Sequence, residues 1–175
     1  MSSKTPFVRQ VSWPLVIPQV IAGIVSIGLV HAVLRPEGFR HSIMLGCAIY
    51  LVYSIGSRRL IASAHRSGIR LTKQGKFQEA IQQFERSYQF FARHNWIDQL
   101  RSLVLMSPSA ISYREMALVN IAFCHGQLGN AESAKEYYSK TLQEFPDSVM
   151  AKASLKMIEP FEEPEKPEST SDLSR

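Results

Sequence analysis

Five histidines (His31, His41, His65, His94 and His125) and two cysteines (Cys47 and Cys124) are the side chains best able to hold a metal or to act as base and nucleophile. A metal site asks for donors one turn apart, as in H-x-x-x-H or C-x-x-C, because only then do two donors reach one ion. None of the seven is paired in this way. Neither a G-x-S-x-G elbow nor a phosphate-binding glycine loop is present. Glu132 and Glu136 share a helix face, but Lys135 and Lys140 beside them make it a solvated, ion-paired surface. The expectation is a chain with no catalytic residues, no metal, no cofactor and no small-molecule substrate. Two lone thiols also exclude a disulfide framework and fit a reducing compartment.

Recognition chemistry is better represented. Ala62, Arg66, Ile69 and Lys73 are spaced four, three and four apart, and so are Met116, Asn120, Phe123 and Gln127. That spacing puts each set on one face of a helix. Each face mixes apolar side chains with cationic or amide groups.

The elements carrying these faces are written twice. Gly75, Ala80 and Phe84 recur, at identical spacing, as Gly129, Ala134 and Tyr138. A glycine closes one helix, and a small and an aromatic residue one turn apart on the next let two helices pack closely. In the second copy Leu118, Ile121, Ala122 and His125 hold the packing positions of the opening helix, and Pro146 closes the unit. In the first copy Ala64, Ser67, Gly68 and Leu71 precede the glycine, and Ala92 replaces the proline. Residues 60–93 and 114–147 resemble tetratricopeptide repeats, whose pattern is W-x2-L-G-x2-Y, A-x3-F and P over helix–turn–helix units of 34 residues. The first copy is worn at its opening helix, as expected if that helix continues directly from the apolar region before it.

The resemblance implies that the two striped faces line a concave groove. It nominates Arg66, Ile69, Lys73, Met116, Asn120, Phe123 and Gln127 as partner-binding residues. Some members of the family hold a partner's terminal carboxylate through basic and asparagine side chains. Asn120 is placed like one of those asparagines, while His65, Ile69, Met150 and Ser154 stand at the other four positions.

The marker glycines are 54 residues apart, so roughly 20 residues interrupt the family period. Ile97, Leu100, Leu103 and Val104 predict a short extra helix, or an extended second helix, ending before Ser107-Pro108-Ser109. Trp96 is expected to pack between the repeats rather than to anchor a partner. Asp147-Ser148 predicts an N-cap for a final helix to about Glu159, covering the flank of the last repeat. The stretch from Pro160 has neither core residues nor helical period and reads as a disordered tail.

At the front, Leu15 to Leu34 carries no formal charge and is long enough, at roughly 20 residues, to cross a bilayer as a helix. Its length, and the absence of an A-x-A type cleavage site directly after it, argue against a signal peptide. His31 reads as an interfacial histidine rather than a proton site. A second apolar stretch, Ser42 to Gly56, is short by itself but lengthens with Phe39 and Leu60-Ile61 if Arg58 and Arg59 snorkel. Gly23, Gly28, Gly46 and Ala48 supply small residues for close packing of the two helices.

Charge sets the orientation. Residues 1–57 hold four Lys/Arg against one acidic residue, residues 58–158 fourteen against eight, and residues 159–175 two against six. The flanks are more basic than the loop between the helices, which places both termini on the cytoplasmic side. No basic recognition helix or RNA-type aromatic motif is present, so nucleic acid is not an expected partner.

The fold expected is all-α: an N-terminal transmembrane helical hairpin, then a short tetratricopeptide-like α-solenoid of two repeats, an inserted helix and a C-terminal capping helix. The boundaries expected are a tail over 1–12, the hairpin over 13–57, the helical domain over 58–159 and a disordered acidic tail over 160–175. The function expected is that of a membrane-anchored adaptor, integral to a bacterial inner membrane. It would bind a protein or peptide in its groove while contacting the lipid bilayer. The alternative is a structural subunit or assembly factor that meets its complex mainly through the hairpin.

Overall fold

Pro14 and Pro18 set where the first helix can begin. Trp13–Leu15 form a 3-10 turn, and α1 runs over Val16–Leu34 with Pro18 in its first turn, where a missing N–H costs no hydrogen bond. The computed structural model describes residues 13–35, 38 and 40–158. The expected tails 1–12 and 160–175, together with Phe39 and Glu159, lie outside those residues. All regular elements among the described residues are helical.

The second helix, α2, spans Ser42–Ile61 and packs along α1. It includes the Leu60-Ile61 extension and reaches about 30 Å at 1.5 Å per residue. Gly46 permits the close approach: a Cβ there would stand 3.0 Å from the Ile27 Cα. Gly23 is buried beneath the Tyr50 ring. Gly28 and Ala48 face outward instead, so only two of the four small residues serve the helix contact. His31 Nδ1 lies 2.7 Å from Ser42 Oγ and ties the hairpin near its loop.

One residue, Ala62, separates α2 from α3, Ser63–Lys73. The helix α4 covers Phe77–Arg93 and packs against α3. Two short helices follow, α5 over Asn95–Gln99 and α6 over Arg101–Val104, where the sequence predicts one helix or an extension. The second pair is α7, Tyr113–Gln127, and α8, Ala131–Glu144. Finally α9, Val149–Ile158, starts where Ser148 Oγ accepts a hydrogen bond from Ala151 N–H.

The two units agree in detail at their turns. Gly75 has φ 75° and Gly129 φ 79°, a conformation that costs glycine little and other residues more. The next residue in each case donates back to the fifth residue before it, Lys76 to Leu71 and Asn130 to His125, both at 3.0 Å. That is the Schellman closure, which satisfies carbonyls left over at a helix end. Ala80 and Ala134 are buried, as are Phe84 and Tyr138 one turn later. Without a proline at position 92, α4 runs three residues longer than α8 (17 against 14).

Three apolar clusters hold the domain. Ala80, Ile81, Phe84, Ile121 and Cys124 join the first pair to α7. Val119, Ala122, Tyr138 and Ala151 join the second pair to α9. Ala62, Phe91, Ile97 and Leu105 fasten the insertion to the first pair. Each pair alone would leave one apolar face open, and the insertion and α9 close the two ends.

Candidate partner-binding site

The seven nominated residues lie on the two opening helices, α3 and α7, which touch one another. Arg66, Lys73 and Gln127 are exposed, and Ile69, Met116, Asn120 and Phe123 are half-buried. Ile69 and Phe123 lean on the first core cluster, and the Phe123 ring meets Phe77 edge-on at 6.5 Å. The face is therefore an open one, with an apolar centre and polar margins. Its centre is shared with the core, so only the outer half of Ile69 and of Phe123 is available to a ligand.

His65, at the position where the carboxylate-holding members carry lysine, does not reach this face. It is 3% exposed and wedged edge-on between Phe84 and Tyr113 at 5.4 and 5.3 Å. Ser87 Oγ lies 3.5 Å from its Nδ1. Burial lowers its pKa to about 4, so it is neutral near pH 7. The cations on the face are Arg66 and Lys73.

Two clefts lie elsewhere, and none of the seven residues lines either. A cleft of about 390 Å³ opens between the start of α7 and the α8–α9 connection, bordered by Ile111, Glu115, Phe145, Asp147 and Met150. A smaller one of about 230 Å³ lies over α4, α7 and α8, bordered by Glu85, Tyr88, Tyr137 and Lys140. Between them Glu144 accepts from the Tyr88 hydroxyl and pairs with Arg114. Lys140 sits 4.9 Å above the Tyr88 ring. Burial, then Glu144, pushes the Tyr88 hydroxyl pKa up. Burial, then Glu85, does the same at Tyr137. These networks fasten helices together, and burial also pushes the Cys124 thiol up.

Several organising residues escape sequence reasoning. Asp98 is buried, and its carboxylate accepts from the Tyr113 and Arg114 backbone N–H groups at 2.8 and 3.2 Å. It thus completes the α7 start that the Ser112 cap begins at Glu115. Arg101 donates to the carbonyls of Asp98, Ser109 and Ala110 and so closes the insertion on itself. The insertion in turn meets the hairpin. Tyr53 Oη donates to Val104 O at 3.3 Å, Arg58 Nε to Leu105 O at 2.9 Å, and Tyr50 Oη lies 3.7 Å from Met106 Sδ. Contacts spanning about fifty residues carry no local periodicity that could have announced them.

Trp96 overturns an expectation. It is 57% exposed, not packed between the repeats. The short α5 points Ile97 and Asp98 inward, and Trp96, one position earlier, is carried to the outside.

For the hairpin, Trp13–Leu34 is the single helical span among the described residues long and apolar enough to cross a membrane, with a mean hydropathy of 2.0. The second helix has the length, but Arg58 and Arg59 in its last turn lower its apolar character.

A sequence model of the tetratricopeptide repeat matches residues 116–148, which hold most of α7, all of α8 and the closing Pro146. No curated protein and no solved structure matches the chain.

Proposed function

We propose that this chain, a member of the tetratricopeptide-repeat family through residues 116–148, is a membrane-anchored adaptor. It holds a peptide or helix of a protein partner on the face shared by α3 and α7. The observation that carries the proposal is the pairing of a family repeat with a second helix pair of matching turn and core, which puts two opening helices side by side. Ile69 and Phe123 give the partner an apolar strip, and Arg66, Lys73, Asn120 and Gln127 fix its polar groups. The hairpin raises the local concentration of the adaptor at the bilayer. Both chain ends face the cytoplasm of a bacterial inner membrane.

Crosslinking in native membranes followed by recovery of the full chain tests this. Arg66→Ala, Lys73→Ala and Asn120→Ala together, all off the buried core, should remove the partner that wild type recovers. Equal recovery by both would overturn the groove assignment.

A second reading has its own support. Ile17, Ile21, Ile24, Leu29, Val52 and Ile55 are all exposed along the hairpin, a surface able to meet other membrane helices. If the hairpin rather than the groove holds the complex, residues 13–61 alone should recover the same partner.

A further inference from the structure

The outer side of the insertion is apolar. Trp96 is 57% exposed, Leu100 48% and Leu103 39%. Leu100 N–H bonds to Trp96 O and Val104 N–H to Leu100 O, both at 2.9 Å. The backbone thus keeps a helical path through the break between α5 and α6, and 96, 100 and 103 stack along one side. Ile97, Asp98, Ser102 and Leu105 bury the opposite side. A solvated insertion is expected to show a polar outer stripe; this one shows a tryptophan and two leucines.

Its height relative to the hairpin says what covers it. Tyr50 Oη donates to Gln19 O at 3.0 Å and also contacts Met106. Gln19 is six residues along from Trp13, about 9 Å at 1.5 Å per residue. The end of the insertion therefore lies beside the first turns of α1, along the stretch of α2 from Tyr50 to Arg58. If α1 crosses a bilayer from Trp13, that level is the headgroup and upper acyl layer, where tryptophan and tyrosine partition and arginine meets phosphate.

We infer that α5 and α6 form a third membrane contact: an interfacial element whose Trp96, Leu100 and Leu103 insert into the cytoplasmic leaflet. This rests on the reading of the hairpin as a membrane anchor. Its consequence is a repeat module seated on the bilayer surface at a fixed tilt, with Arg58 and Arg59 beside the same headgroup layer.

Trp13 and Trp96 are the two tryptophans of the chain, which makes the test direct. Full-length Trp13→Phe and Trp96→Phe variants are reconstituted into vesicles of phosphatidylcholine and phosphatidylglycerol with acyl chains brominated near the headgroup. Trp96, alone in the first variant, should lose at least half of its emission to the brominated lipid and resist aqueous acrylamide. If acrylamide quenches it and lipid does not, the stripe faces water and the inference is overturned. If neither quencher reaches it, protein covers the stripe, which overturns the inference equally. Trp13, alone in the second variant, reports the anchor separately: lipid quenching of Trp13 but not of Trp96 removes the interfacial element and leaves the hairpin standing. Absence of quenching at both removes the hairpin as well.

Discussion

His65 is a titratable group held where it cannot titrate normally. Its folded pKa of about 4 lies below the usual 6.5. Between those values the unfolded chain binds a proton that the folded chain refuses, so stability is full above pH 6.5 and drains away as pH falls toward 4. A shift of that size corresponds to on the order of 3 kcal/mol. Urea melts at stepped pH should show this slope, and His65→Phe should flatten it across that window. An unchanged slope in the variant would assign the acid sensitivity to other groups.

Gly68 marks a second residue-scale constraint. A Cβ there would stand 2.7 Å from the Phe84 ring, which is fully buried. Overpacking costs about 1–3 kcal/mol, against about 1 kcal/mol gained in helix propensity. Gly68→Ala should lower the melting temperature. A rise would show that the ring can shift.

At the scale of elements, the turn signals of the second repeat were the most legible part of the chain. Gly129, Ala134, Tyr138 and Pro146 act through neighbours a few positions away, so their spacing alone specifies the α7–turn–α8 unit. Ser148 announced the start of α9 for the same reason. The insertion was legible only as a break in period. Its geometry depends on Asp98 reaching an N-terminus 15 residues on, and on Arg101 collecting carbonyls from two segments. Trp96 was misread because aromatic size predicts burial only when the element's inward side is known.

Asp98→Ala leaves two N–H groups at the start of α7 without their acceptor and should cost about 1–3 kcal/mol. Chemical denaturation of the full chain in detergent measures it, and a loss below a few tenths of a kcal/mol would mean water replaces the carboxylate freely. Deleting residues 148–158 exposes Val119, Ala122 and Tyr138, which α9 covers, and should lower the melting temperature by several degrees. An unchanged melting point would refute the capping role.

At the scale of the whole molecule, the hairpin and the repeat domain support one another through residues 104–106. Removing residues 1–61 takes away Tyr50, Tyr53 and Arg58 together, and with them three contacts to the insertion. Backbone amides of residues 101–112 should then exchange with deuterium at least tenfold faster than in the full chain, while α7 and α8 keep their protection. Equal exchange throughout would show the two parts to be mechanically independent. The spacing puts Ala62 on the same stripe as Arg66, Ile69 and Lys73, but Ala62 lies just before α3 and is buried. The depth of the faces was not readable either, because the burial of His65 depends on Tyr113 arriving from the far side of the insertion.

Ala62 is the sole residue between α2 and α3, and it is 2% exposed. A flexible tether would let the module sweep a volume and search for its partner. Here the junction is a packed elbow, so the module works as a bracket and not as a leash. The fifteen-residue α7 is about 22 Å long, and that sets the scale of its reach. Under the proposed function, selection among partners would act through position as well as affinity: a segment emerging from the same membrane close to the hairpin would be within range, and one displayed far from it would not.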